Sequence, residues 1–181
     1  MNLTSFFANK CFEYLLKCDA EQETGQSSYA SQKPILPPWA KDLKEFNLLC
    51  NGCGDCISAC ENSLLIFNKD GVPLVDFARG SCSFCGACAE SCKRNAFQYE
   101  SAKPPWNLFA HINSNCLINN NVICSTCVEQ CDNEAIVLPR IIDKNKTPMV
   151  MTESCNGCGA CFNACPVNAI EIGRPENQEQ L

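Results

Sequence analysis

The chain has 181 residues, which suits one domain or two small ones, and its formal charge is −6. The hydrophobic residues make up 46% of the chain and include 18 cysteines, and without these only about a third of the chain is hydrophobic, so the other apolar residues can build only a thin core. The acidic balance argues against nucleic acid as a ligand and favours a partner with a basic docking surface.

The first 33 residues are predicted to be a short helix and a flexible linker. Apolar residues recur at helical spacing over 3–18, whereas 19–33 is polar. The apolar stripe either packs on the body of the protein or docks a partner. Cys11 and Cys18 have no CxxC neighbour and are predicted to be free thiols. The helix is too short and too polar to span a membrane, and neither a signal peptide nor a paired-arginine signal is recognisable.

Sixteen cysteines fall into four runs of four. The runs are Cys50, Cys53, Cys56 and Cys60; Cys82, Cys85, Cys88 and Cys92; Cys116, Cys124, Cys127 and Cys131; and Cys155, Cys158, Cys161 and Cys165. Three runs read CxxCxxCxxxC, and the third stretches its first gap to seven residues. This is the ligand spacing of bacterial ferredoxins, so we predict four [4Fe–4S] clusters.

The spacing has a physical basis. On a coiled loop, three cysteines at CxxCxxC converge on the corners of a cubane. The residue after the second cysteine is small in every run (Gly54, Gly86, Ser125 and Gly159), which suits close approach of the backbone or a positive φ.

Two other uses of cysteine are disfavoured. A disulfide scaffold is typical of short secreted proteins, and no secretion signal is recognisable. A structural zinc site needs two separated CxxC pairs rather than four cysteines within eleven residues.

The chain is predicted to be an α+β protein of two tandem 2[4Fe–4S] ferredoxin modules. A Pro-Pro-Trp sequence at 37–39 and again at 104–106 precedes a pair of runs. The links 64–81 and 135–154 both have a strand, turn, strand pattern. The predicted organisation is 1–33 helix and linker, 34–103 first module, 104–172 second module, and 173–181 disordered tail.

This repeat pairs the first run with the second and the third with the fourth. In bacterial ferredoxins the fourth cysteine of each run binds the neighbouring cluster. The predicted ligand sets are therefore Cys50, Cys53, Cys56 and Cys92; Cys60, Cys82, Cys85 and Cys88; Cys116, Cys124, Cys127 and Cys165; and Cys131, Cys155, Cys158 and Cys161.

Two alternatives concern these sets. A nested arrangement would pair the first run with the fourth and the second with the third. The loop 117–123 would also leave the third site labile, or with a three-iron cluster, if it carried Cys116 away.

Three aromatic or imidazole side chains require interpretation. Trp39 and Trp106 are predicted to cover the apolar flanks of the cluster pairs, and the alternative is a recognition patch for a partner. His111, in a loop before the third run, is predicted to be a surface or capping residue.

Several motifs together resemble one family. They are the PPW sequences, CxxCxxCxxxCEN, GVPLVDF, CSFCGACAESC, the stretched VICSTCVEQCDNEAI and the closing CNGCGACFNACPVNAI. Over about residues 34–172 the chain resembles the NapF family, the ferredoxin-type accessory proteins of periplasmic nitrate reductase systems. The order of the motifs and the stretched third run make this resemblance specific.

The resemblance implies a cytoplasmic protein that binds the catalytic molybdenum subunit of periplasmic nitrate reductase before export. It would help that subunit mature by assembling or reducing its iron–sulfur cluster. The residues show no nucleophile and base pair and no nucleotide or flavin loop, so we do not expect an enzyme. The alternative function is a cytoplasmic electron-transfer polyferredoxin, or an electron-transfer subunit of a larger oxidoreductase.

Overall fold

A computed structural model of the chain describes residues 34–100, 104–138 and 147–174. The predicted N-terminal helix and linker (1–33), with Cys11 and Cys18, lie outside these residues. So do most of the predicted tail (175–181) and the turn of the second hairpin.

Short helices and strands, joined by turns, make up a mixed α and β architecture, as predicted. In chain order the elements are α1 (Leu43–Leu49), α2 (Asp55–Ser58), β1 (Leu65–Phe67), β2 (Pro73–Val75), α3 (Ala87–Glu90), β3 (Phe109–Ile112), α4 (Thr126–Glu129), β4 (Ile136–Val137), β5 (Met149–Val150), α5 (Ala160–Ala164) and β6 (Ile170–Gly173). A 3-10 turn spans Leu117–Asn120.

Each predicted strand, turn, strand link contains an antiparallel hairpin. In the first, β1 pairs with β2, and Leu65 lies opposite Val75. Its turn is organised by Asn68, whose side-chain oxygen accepts hydrogen bonds from the backbone N–H groups of Asp70 and Val72, at 2.9 and 2.8 Å. In the second link β4 pairs with β5. The predicted strands are thus confirmed in both links.

In each half of the described chain, 34–100 and 104–174, the first segment pairs with the last. The sequence analysis did not predict this second kind of pairing. In the first half, Ala40 forms an antiparallel bridge with Phe97. In the second half, β3 pairs with β6 over four residues. In both cases a segment that follows Pro-Pro-Trp meets the segment that follows the last run of the same half. The strand pairing therefore repeats with the sequence.

Helix α1 belongs to a small core at the start of the first half. Asp42 caps it, because the carboxylate accepts hydrogen bonds from the N–H groups of Lys44 and Glu45 at 2.9 and 3.0 Å. Phe46 is fully buried and packs edge-on against Phe97, with ring centroids 5.5 Å apart. The helix thus rests on the segment that forms the bridge.

The larger core draws residues from both halves. Leu64 and Phe77 from the first half belong to the same buried cluster as Ile136 and Ile172 from the second. The two halves therefore share apolar packing. No helix within the described part of the chain is both long and apolar enough to cross a membrane.

Candidate iron–sulfur sites

The first hollow lies beside the first run and is lined by cysteines from two runs. They are Cys50, Cys53, Cys56 and Cys92. Phe46 and Phe97 of the small core also line it. This set is the first predicted ligand set, so the fold brings the last cysteine of the second run to the first run.

The second hollow is lined by the second predicted set, Cys60, Cys82, Cys85 and Cys88. Trp39 and Leu64 contribute apolar wall. Exposure varies within the set, since Cys85 is exposed and Cys88 is buried. One edge of the hollow is therefore open to solvent.

A third hollow lies beside the fourth run. It is lined by the predicted set Cys131, Cys155, Cys158 and Cys161. Cys82 of the first half also lines it. The fold thus places a cysteine of the second run next to the fourth-run thiols.

At the third run, the thiols of Cys116 and Cys124 lie close enough to Cys127 to raise its pKa, after burial as the main cause. Cys116 is buried. The loop after it forms the 3-10 turn, and the hydroxyl of Thr147 donates to the side-chain oxygen of Asn119 at 2.8 Å. Cys165, at the end of α5, packs against the same core as Cys127. The stretched gap is therefore an ordered loop with Cys116 turned inward.

Burial raises the pKa of several thiols. It is the main cause of the rise to about 11 for Cys56, and to about 12 for Cys88 and Cys161, with neighbouring thiols adding to it. These thiols are therefore protonated at neutral pH until a metal binds, and binding must displace their protons.

The same electrostatic neighbours show which runs lie together. Cys56 of the first run raises the pKa of Cys88, and Cys127 of the third run raises that of Cys161. Helix α2 also contacts α3, and α4 contacts α5. First with second and third with fourth are thus the close pairs, which is the arrangement that the sequence repeat favours over the nested one.

The small residue after the second cysteine has the predicted positive φ in three runs. The values are +83° at Gly54, +79° at Gly86 and +85° at Gly159, each directly before a short helix. Ser125 of the third run instead has φ −127°. The stretched run therefore enters its helix by a different turn, which explains why it tolerates serine.

One asparagine side chain in each half holds the hairpin link against the following run, and the sequence analysis missed both asparagines. The amide of Asn62 donates to the carbonyl of Ser81 at 2.7 Å, and that of Asn133 donates to Ser154 at 3.2 Å. Both asparagines stand two residues after the fourth cysteine of a run. The repeated sequence of cysteine, acidic residue and asparagine, at 60–62 and 131–133, was the signal that could have identified them.

The two tryptophans lie in one row of edge-to-face aromatic contacts. Phe84 lies between them, with ring centroids 6.3 Å from Trp39 and 5.8 Å from Trp106. Trp39 is buried at 8% exposure, and the indole N–H of Trp106 donates to the carbonyl of Asn156 at 2.8 Å. Trp39 therefore packs inside the protein and covers the second hollow as predicted, whereas Trp106 is half-buried.

His111 lies on β3, not in the loop expected from the sequence. It is opposite Glu171 in the strand register, and its ring contacts Phe109. The expectation of a surface position is confirmed, since His111 is exposed. The loop was a wrong assignment because β3 depends on its distant partner β6.

The donor set suits iron–sulfur clusters. Within 34–100, 104–138 and 147–174, no three His, Cys, Asp or Glu side chains converge on a single-ion site. Twelve of the cysteines instead surround three hollows in groups of four. Four thiolates with backbone amides around them are the ligands of a [4Fe–4S] cluster.

Two protein families match the segments that contain the cysteine runs. A 4Fe-4S dicluster domain matches residues 49–96, which contain the first two runs. A 4Fe-4S binding domain matches residues 148–171, which contain the fourth. The chain therefore binds [4Fe–4S] clusters.

Curated relatives extend the likeness to most of the chain. Ferredoxin-type protein NapF of Escherichia coli K12 is 37% identical over 158 residues, covering 86% of this chain and 95% of that protein. NapF of Haemophilus influenzae is 38% identical and covers 80% and 82%. Ferredoxin-type protein NapG of H. influenzae is 30% identical, covering 83% of this chain and 61% of NapG. The chain belongs to the NapF family of ferredoxin-type iron–sulfur proteins.

Proposed function

We propose that the chain binds four [4Fe–4S] clusters at the four predicted ligand sets, in two modules spanning 34–103 and 104–172. The lining of the first hollow carries the proposal, because Cys92 joins Cys50, Cys53 and Cys56 there. That is the ligand exchange typical of two-cluster ferredoxins. The repeated strand pairing and the dicluster match to residues 49–96 support the division into modules.

Each cluster, when bound, supplies one-electron redox chemistry. The chain's own residues hold the thiols and exclude water from the inner side of each hollow. Phe46 and Phe97 do this at the first hollow, and Trp39 and Leu64 at the second. A low dielectric and amide dipoles at the thiols are the protein's means of setting the reduction potential.

Iron analysis tests the number of clusters. Anaerobic reconstitution of the full chain should give about sixteen irons and sixteen sulfides per chain, because each of the four sets completes one cubane. A content near eight irons, or zinc in place of iron, would contradict the proposal.

The proposed role is to bind the catalytic molybdenum subunit of periplasmic nitrate reductase in the cytoplasm and to help it mature before export. Membership of the NapF family supports this role. The charge also suits docking: the chain carries −6, and each four-thiolate cluster adds about −2. A basic surface on the client would therefore attract the loaded protein.

A deletion strain tests the role. We expect it to export nitrate reductase with lower activity or a defective cluster, while electron supply to enzyme that has already matured stays normal. Complementation with Cys85→Ala should fail if cluster chemistry is required. Glu90→Ala, a change at an exposed residue of α3 that lines none of the hollows, should complement and serves as the matched control.

An electron-transfer polyferredoxin is the second candidate. The hollows of the second and fourth runs share a wall, which favours electron passage through the whole chain. Normal exported nitrate reductase in the deletion strain, together with slower turnover of another cytoplasmic redox pathway, would favour this candidate over the maturation role.

A further inference from the structure

One short segment of the first half stands between two hollows. Residues 81–84 line the hollow of the second run and also the hollow of the fourth. In contrast, every residue that lines the first hollow belongs to the first half. Segment 81–84 is therefore a common wall between sites of different halves.

A backbone hydrogen bond joins the two runs at this wall. The N–H of Cys82 donates to the carbonyl of Cys158 at 2.8 Å. These residues are the first cysteine of the second run and the second cysteine of the fourth. Because a thiol is two bonds from its own Cα, this bond holds a ligand of one site close to a ligand of the other.

A side-chain clamp holds the wall in place. The amide of Asn163, on α5, donates to the carbonyls of Phe77 and Gly80 in the first half, at 2.7 and 3.0 Å. The Phe77 ring lies directly over Gly159, where a Cβ would stand 2.2 Å from the ring. Hydrogen bonds and close packing therefore fix the two halves at the same place.

We propose that segment 81–84 is the electron-exchange junction between the halves, and that the sites lie in the order first, second, fourth, third. This inference rests on the ligand sets proposed above. One electron crosses the wall, so one site is oxidised and its neighbour reduced, with no bond broken and no proton moved. The spatial order differs from the chain order because the second half packs through its fourth run.

Magnetic coupling in the full chain tests the order. The variant Cys53→Ala with Cys124→Ala keeps the two junction sites, and Cys85→Ala with Cys155→Ala keeps the two outer sites. After reduction with dithionite, the junction pair should show dipolar splitting in its electron paramagnetic resonance spectrum, and the outer pair should show isolated signals. Equal or stronger coupling in the outer pair would overturn the proposal.

Iron content separates the two possible failures. Each double variant should hold about eight irons per chain, because two of four sets remain. A content far from this value would overturn the ligand sets, and the junction with them. The expected content with no coupling in the junction pair would overturn the junction alone.

A second test keeps all the clusters. Asn163→Ala should speed hydrogen exchange in the peptide that contains the Cys82 amide and weaken the coupling between the halves. Asn119→Ala removes the same kind of bond within one half, to the carbonyl of Ser114, and Asn119 lines neither junction hollow, so this variant should change neither quantity. No change in Asn163→Ala, or equal changes in both variants, would contradict the role of Asn163 as a positioning residue.

Discussion

Single polar side chains organise the space around the thiols. Asn62 and Asn133 act within their own halves, whereas Asn163 acts between them. Each spans from a position near a cysteine to a distant backbone carbonyl. A satisfied carbonyl of this kind is worth about 1 kcal/mol, and leaving it unpaired costs more where it is buried.

At Gly159, a single methyl group should disturb the fourth-run site. Gly159→Ala adds left-handed strain of about 1–2 kcal/mol and overpacking of about 1–3 kcal/mol, because the Cβ meets Phe77. We expect a lower temperature for loss of cluster absorbance and less bound iron. Gly71→Ala is the control, since its φ is +76° with nothing within 4 Å. Equal effects of both variants would exclude the overpacking.

Cys92→Ala tests the ligand exchange within the first half. Cys92 lines the first hollow, so its loss should impair the first-run cluster and leave both clusters of the second half intact. Mössbauer spectra and iron counts measure this. Lys93→Ala, at the exposed neighbouring position, should bind the full iron content. Loss of clusters from the second half in Cys92→Ala would favour the nested arrangement instead.

Among the elements, the hairpins and closing strands repeat while the lead-in segments differ. After its Pro-Pro-Trp the first half has one bridge and then α1, and the second half has the four-residue strand β3. The small core under α1 belongs to the first half. The two halves thus share the same order of strands but are stabilised by different local packing.

Helix α1 supports the first hollow through one side chain. Phe46→Ala removes a fully buried ring and should cost about 3–5 kcal/mol, with earlier loss of the first-run cluster, because Phe46 lines that hollow. Leu48→Ala lies on the same helix at 84% exposure and should cost less than about 0.5 kcal/mol. Thermal denaturation of the loaded protein compares the two. Similar midpoints would show that α1 does not support the site.

For the whole molecule, stability should depend on the clusters. Within the residues that the structure describes, the buried side chains other than cysteine are few, and the hollows lie among them. Metal binding in such small domains supplies free energy of folding. Removal of iron by a chelator under anaerobic conditions should therefore abolish most of the far-ultraviolet circular dichroism of the helices and strands, and reconstitution should restore it.

Acid should promote cluster loss. The pKa values of Cys88 and Cys161 are raised to about 12 without metal, mainly by burial, so protons compete strongly for these thiolates. Because binding releases protons, affinity falls as pH falls. The rate of bleaching in a chelator should therefore rise steadily as the pH is lowered through the neutral range, because both pKa values lie far above it. A rate that does not depend on pH would contradict proton competition.

The sequence predicted the architecture unevenly. It predicted the hairpins, because β1 and β2 are close neighbours along the chain with a turn between them. It missed β3 with β6 and placed His111 in a loop, because a strand of four residues has no periodicity long enough to recognise. The choice for Trp39 between covering a cluster pair and recognising a partner also required the fold, since only packing shows that the ring is buried.

The sequence by itself determined the kind of cofactor and the division of sixteen cysteines into four runs, because the characteristic spacing lies within short stretches of chain. The tertiary structure decided how the halves meet. The bond from Cys82 to Cys158 joins two backbone groups, and backbone groups are the same in every residue. Which of them meet depends on the packing of Phe77 against Gly159, more than 80 residues away.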